Sequence, residues 1–213
     1  MKIKTRAVSD IQLAIDWARL SYDSAGDNGG EKDIKLSTKL GQCKPGSGHD
    51  SFLKAIVVHV EFTATHDFIL QLYRYHFRDT ASSTSKMHSI TKGTIGDNCS
   101  KWVSTETVAL VDTLIGMYNI YENNSVTSAN KVLHCIGIEY GIGTKSDLFE
   151  CIIHNTPLGY ELTFGEVTSY LQLKSMYAQR KSHKMSGWSE IFTEWVKSLP
   201  QSHLITGIKE ERC

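Results

Sequence analysis

Apolar and polar positions alternate most cleanly at residues 53–63. There Ile56, Val58, Val60 and Phe62 face one way and His59, Glu61 and Thr63 the other, a period of two that predicts a half-buried strand. Elsewhere the period lengthens. Ile11, Ala14, Ile15 and Ala18 recur at helical spacing behind Ser9-Asp10-Ile11-Gln12, a capping-box pattern that predicts a helix start. A helix is predicted over 65–77, with Phe68, Leu72 and Tyr75 on one stripe, and two more over 105–121 and 126–140. Pro157 sits in a break, and Thr163-Phe164-Gly165-Glu166 then reads as a second capping box, opening a helix to about Ser182. Trp188, Ile191, Phe192, Trp195 and Leu199 share one face of a last helix that Pro200 stops. A second strand is expected near 147–154. The polar, Gly-rich stretch 24–50 reads as a long loop with room for a short helix. Strand and helix do not recur as a unit, so the expected class is α+β: one helix-rich domain, 1–213, around a small antiparallel sheet.

Composition narrows the partners. Acidic and basic residues balance at 23 each, which argues against a dedicated duplex DNA binder, since such a protein needs excess positive charge to displace phosphate counterions. One basic pocket for a small phosphorylated ligand remains compatible with that balance. No apolar run approaches the roughly 20 residues that span a bilayer, so no membrane partner is expected. The N-terminal Met1–Gln12 segment has lysines but no apolar core, unlike a signal peptide. The five cysteines are scattered without a CxxC pair, which reads as reduced thiols in a cytoplasmic protein. His59, His66, His134 and His154 lack metal-ligand spacing, and no metal site is expected.

Two segments have the composition of a ligand site. Gly41-Gln42-Cys43-Lys44-Pro45-Gly46-Ser47-Gly48-His49-Asp50 is a Gly-rich loop whose backbone N–H groups could approach a phosphate, with Lys44 adding charge. It is not a Walker A loop, because no Lys follows the second glycine at the required place. A plain surface loop would read the same way. The second segment runs from Gln71 to His88. Arg74, His76 and Arg78 stand among Tyr73, Tyr75 and Phe77 and lead into a hydroxyl-rich stretch. Arginine supplies a donor fork for phosphate, and the rings can stack on a base or a flavin. A polar helix junction with two solvated arginines is the competing reading.

This second segment resembles the signature of the flavin-dependent thymidylate synthases. That signature reads Arg-His-Arg, two residues, Ser, one residue, Asn-Glu, one residue, Ser, one residue, Arg-Tyr, usually after Gln and two apolar residues. Two registers compete. With the signature His on His76, Thr80 and Ser85 take its two serines, Tyr75 and Phe77 replace both arginines, Ser82 and Ser83 replace Asn-Glu, and Met87 replaces the last Arg. With the Gln on Gln71, the first Arg falls on Arg74, and Lys86 stands where the last Arg should be. The Arg74-Tyr75-His76-Phe77 and Ser85-Lys86-Met87-His88 runs resemble the divergent, phage-type version of the signature. A third segment agrees in order. After Leu-Pro and Thr the family has Asn and, eleven residues later on the same helix, Arg; Pro157, Thr163, Ser169 and Arg180 keep that order and spacing. Eleven residues is close to three turns, so both side chains project from one face.

The resemblance covers roughly residues 50–90 and 150–195. It implies a flavin-dependent thymidylate synthase-like fold and a homotetramer. It implies FAD as cofactor, with NADPH and methylenetetrahydrofolate as co-substrates. The implied reaction is one-carbon transfer to a pyrimidine deoxynucleotide, by methylation or hydroxymethylation of deoxyuridine monophosphate. By the same carry-over, Arg74, His76, Arg78 and Ser169 would face the flavin, and Ser83, Ser85, Lys86 and Arg180 the nucleotide. No side-chain nucleophile is implied, because in that family the cofactor carries the chemistry. The family's arginines and its Asn-Glu pair are mostly replaced here. A nucleotide-binding or nucleotide-sequestering protein without flavin is therefore the alternative.

Overall fold

The computed structural model describes residues 1–20, 30–121, 126–135, 137 and 141–207 (126–129 by backbone alone). The chain opens with β1 (Lys2–Ser9), α1 (Ile11–Trp17) and α2 (Glu31–Gly41), then a 3₁₀ turn at Ser51–Ala55 and β2 (Val57–Thr65). There follow α3 (His66–Leu72), β3 (Arg78–Ser83), α4 (Lys86–Ser89), α5 (Thr105–Asn119), α6 (Val126–Cys135) and α7 (Lys145–Asn155). The chain ends with β4 (Glu161–Ser169), α8 (Tyr170–Arg180), a π-helix at Gly187–Phe192, α9 (Thr193–Lys197) and α10 (His203–Thr206). The expected class holds: the described residues form many helices and one small four-stranded sheet. Two compact units are distinguished, one of Met1–Thr63, Gln71–Ser83 and the chain from Thr163 onward, the other of Ala64–Leu70 and Thr84–Leu162.

The first unit is built on the sheet, in the order β1-β2-β4-β3, with β1/β2 and β3/β4 antiparallel. β2 keeps its predicted alternation: Val58, Val60 and Phe62 are buried and His59 is exposed. Phe62 stacks on Phe164 of β4 at 5.5 Å and meets Trp195 edge-on at 5.6 Å. Such aromatic contacts add to the burial of apolar surface that drives the fold. The stripe expected on the last helix is present except at Ile191. Trp188, Phe192, Trp195 and Leu199 are buried, whereas Ile191 is 39% exposed. The wider turn of the π-helix shifts the phase of this segment and turns Ile191 outward.

Several expectations are corrected here. Thr163–Glu166 is not a helix start but part of β4, and the helix begins six residues later at the N-cap Ser169. β4 buries Phe164, Glu166 and Thr168 on one face, so two polar residues occupy inward positions and disguise the period of two. α3 stops at Leu72 rather than 77. The cap of α1 is Asp10, held at φ 64° without a side-chain cap bond, while Ser9 closes β1. The long loop contains the eleven-residue helix α2, and 21–29 lie outside the described residues. Cys99, Cys135 and Cys151 are free thiols as expected, but Cys43 is disulfide-bonded.

The second unit is helical. Its core gathers Ile90, Ile95, Val111, Leu114, Ile115, Leu133, Ile142, Leu148, Ile152 and Tyr160. The predicted helices at 105–121 and 126–140 appear as α5 and α6, with 136 and 138–140 outside the described residues. The strand expected at 147–154 is instead the helix α7. Thr144 caps it with a full capping box: its hydroxyl accepts from the Asp147 N–H, and the Asp147 carboxylate accepts from the Thr144 N–H at 2.7 Å. That carboxylate also accepts from Gly143; the Thr144 hydroxyl first, and then these backbone bonds, hold its pKa below the usual value. Replacing Thr144 by Ala should cost about 1 kcal/mol of stability, measured as a shift of the denaturant midpoint.

Candidate functional site

Three segments of the first unit line one cavity of about 510 Å³. The Gly-rich loop contributes Pro45, Gly46, Gly48 and Asp50, and the 3₁₀ turn adds Ser51 and Lys54. The loop after α3 contributes Arg74, Tyr75, His76 and Phe77; the first turns of α8 contribute Leu171, Gln172 and Ser175. The two segments singled out for ligand chemistry, and the helix that runs from Ser169 to Arg180, thus meet in one place. Gly46 and Gly48 have φ of +82° and +85°, values that favour glycine over any residue with a Cβ. The path of this loop therefore depends on them, although a Cβ at either would find open space.

Hydrogen bonds fix the loop after α3. Gln172 Oε1 accepts from the Phe77 N–H at 3.2 Å, and the Thr168 hydroxyl donates to the Phe77 carbonyl at 3.2 Å. At the other end of α8, Arg180 donates from Nε to the Tyr75 hydroxyl at 2.8 Å and from a terminal nitrogen to Gln71 Oε1 at 3.0 Å. Its guanidinium also lies 4.5 Å from the Trp188 ring centre, a cation–π contact. Arg180 therefore braces this loop, with two of its five N–H donors engaged in doing so.

Arg78 is committed as well. Its side chain, 9% exposed, donates to both carboxylate oxygens of Glu166 at 2.6 and 2.7 Å and packs on Tyr73. Thr80 donates to the same carboxylate at 3.0 Å. Arg78 Nε is buried without a partner among the described residues. Burial pushes the Glu166 carboxyl up from its usual range, and Arg78 and Thr80 pull it partly back.

Of the predicted site residues, Arg74 and His76 are in the cavity wall and exposed. Ser169 caps α8, accepting from the Gln172 N–H at 3.3 Å. Ser83 ends β3 opposite Phe164. Ser85 and Lys86 belong to the second unit, where Ser85 precedes α4 and burial lowers the Lys86 pKa. Lys44 does not line the cavity, whereas Lys54 does. The sequence singled out none of Lys54, Gln172 and Lys174, and Asp50 only as the end of the Gly-rich segment. Lys174 is fully buried, and its ammonium donates to Asp50 Oδ2 at 2.7 Å and to the Cys43 carbonyl. A signal for it exists in the sequence: Lys174 stands one turn from Tyr170 and next to Leu173, on the apolar stripe of its helix. A lysine at such a position requires a carboxylate.

The cavity wall carries the cations Lys54 and Arg74, neither ion-paired among the described residues, beside three rings, those of Tyr75, His76 and Phe77. That combination suits an anionic ligand with a flat ring system.

No protein-family model and no curated protein sequence matches the chain. Solved structures do match. A thymidylate synthase X from Helicobacter pylori with FAD and dUMP aligns with a TM-score of 0.68 at 14% identity, over 97% of this chain and 98% of that one. A flavin-dependent thymidylate synthase from the same organism, complexed with FAD and dUMP, aligns with a TM-score of 0.63 at 15% identity, over 98% and 100%. The agreement extends along essentially the whole of both chains, and the fold is that of a flavin-dependent thymidylate synthase.

Proposed function

We propose that the chain binds FAD and a pyrimidine deoxynucleotide and transfers a one-carbon unit to the pyrimidine, by methylation or hydroxymethylation of deoxyuridine monophosphate. The observation that carries this reading is one ring-lined cavity with two cations where the Gly-rich loop, the Arg74–Phe77 loop and the first turns of α8 meet, α8 through Leu171, Gln172 and Ser175 rather than Ser169 or Arg180, on a fold that two structures solved with FAD and dUMP share. The residues fit such a ligand. Arg74 and Lys54 would hold phosphate, the Gly46–Gly48 backbone would approach it closely, and Tyr75 and Phe77 would flank a ring. His76 and Ser169 are proposed to face the flavin, and Arg180 the nucleotide. For Ser83, Ser85 and Lys86 the assignment rests on the signature alone. FAD bound there would supply the redox chemistry, with methylenetetrahydrofolate as one-carbon donor and NADPH as reductant. The chain's own residues bind, orient and exclude water. A homotetramer is part of the proposal, and a stable monomer in light scattering would count against it.

One observation favours a flavin-free nucleotide binder instead. Arg78 and Arg180, both assigned to ligands by the signature, are held by Glu166 and by Tyr75 and Gln71 within the chain. Retention of added FAD through gel filtration, read in the visible flavin band, separates the two. Retained flavin followed by methylenetetrahydrofolate-dependent consumption of deoxyuridine monophosphate supports the enzyme. Retained nucleotide without flavin supports the binder.

A further inference from the structure

Among the residues lining the cavity, Asp50 is the one carboxylate, set against the cations Lys54 and Arg74. Asp50 is 1% exposed, at the base of the wall, and Lys174 at 0% exposure is hydrogen-bonded to it at 2.7 Å. The pair is net neutral whichever group holds the proton. Such a pair is weak evidence for stability, because desolvation offsets its attraction and well-packed apolar replacements often serve as well. Tyr170, Leu173 and Met176 pack on the same helix, so an apolar residue at 174 would suit this face. The pair therefore calls for a role other than stability. An unpaired carboxylate under the wall would act on the cavity through a medium of low dielectric, where charges are felt more strongly than in water.

We propose that Lys174 is a specificity-determining residue of this cavity: by cancelling Asp50 it leaves Lys54 and Arg74 unopposed by any other carboxylate among the described residues that line it, so that the cavity accepts a phosphate or diphosphate group. The same ammonium, bonded to the Cys43 carbonyl, ties the Gly-rich loop to α8. The inference rests on the cavity being the ligand site proposed above, but it concerns charge alone and requires neither flavin nor folate.

The test is calorimetric titration of the full chain with inorganic pyrophosphate, for the wild type, Lys174→Met and the double variant Asp50→Asn/Lys174→Met. Lys174→Met should bind about tenfold more weakly or worse, from one uncancelled charge close to the ligand. The double variant, which also lacks the ion pair, should return to near wild-type affinity. A role in loop anchoring alone would leave the double variant as weak as the single one, and that result overturns the proposal. A wild type that takes no pyrophosphate, or a Lys174→Met protein that binds as the wild type does, overturns it too. Should Lys174→Met not fold, the double variant decides alone: retained binding is expected, and loss of binding by a folded protein sinks the idea. Parallel titrations with FAD and deoxyuridine monophosphate keep the two readings apart. Pyrophosphate binding with the expected variant pattern, but no nucleotide binding, upholds the role of Lys174 and removes the functional reading. Nucleotide binding unaffected by Lys174→Met does the reverse.

Discussion

Arg78→Met is expected to destabilise the fold by about 3–5 kcal/mol, the usual consequence of removing one partner of a buried ion pair. For a chain of this size that is a fall in melting temperature on the order of 10 °C. Glu166 would be left 3% exposed, with the Thr80 hydroxyl as its remaining donor among the bonds that now hold it. Arg78→Met/Glu166→Leu removes both charges and should recover most of the loss. The sign of the pH dependence follows from Glu166. Burial raises its pKa above the ordinary 4.5, and the Arg78 bonds and charge oppose that rise. A carboxyl with a raised folded-state pKa binds its proton more tightly when folded, so its protonation favours folding at low pH and that contribution is lost as pH rises. Without Arg78 the rise is larger. The deficit of Arg78→Met should therefore be greatest near neutral pH and shrink as pH falls towards 4.5. A deficit that is constant with pH would place the loss in packing against Tyr73 rather than in the charge. The experiment also bears on the assignment of Arg78 to flavin: a residue held this firmly within the sheet is first a structural one.

The parts of the fold that were legible are those where burial follows hydrophobicity. β2, α5 and the aromatic face around Trp188 were readable because their inward positions are apolar. β1 was not, since most of it is exposed and an edge strand of lysines, threonine and arginine carries little alternation. α2 was missed because its buried positions are Asp33, Ser37 and Gly41, which no hydrophobic stripe marks. Asp33 is paired with Arg19. At Gly41 an added Cβ would lie 3.0 Å from the Leu204 side chain, so the position is small because α10 approaches there. β4 was hidden by Glu166 for the reason already given: its inward acid is matched by an arginine from the neighbouring strand. The site divides in the same way. The glycines, Arg74 and the aromatic loop announced themselves by residue type. Lys54 is significant only through neighbours distant in sequence; for the buried pair the apolar stripe of α8 marks Lys174, but nothing local names Asp50 as its partner.

The second large effect expected is on binding, from Arg74→Ala combined with Lys54→Ala. Each cation can make a charge-assisted hydrogen bond to phosphate worth about 1.5–3 kcal/mol, so the double variant should lose on the order of 10²–10⁴ in affinity for a phosphorylated ligand. Stability should hardly change, because both side chains are exposed and neither is ion-paired among the described residues. That separates them from Arg180, whose bonds to Tyr75 and Gln71 make it part of the frame. Arg180→Ala should loosen the loop that carries Arg74 and so lower melting temperature and affinity together. Arg74→Ala should lower affinity alone, and more steeply at low salt, where an exposed cation is least screened. Arg74→Lys keeps the charge but not the planar fork. If it recovers only part of the binding, the guanidinium is reading phosphate geometry rather than merely attracting an anion. Unchanged affinity for FAD and deoxyuridine monophosphate in the double variant would show that the ligand enters elsewhere, and the convergence of the three segments would then be a matter of packing.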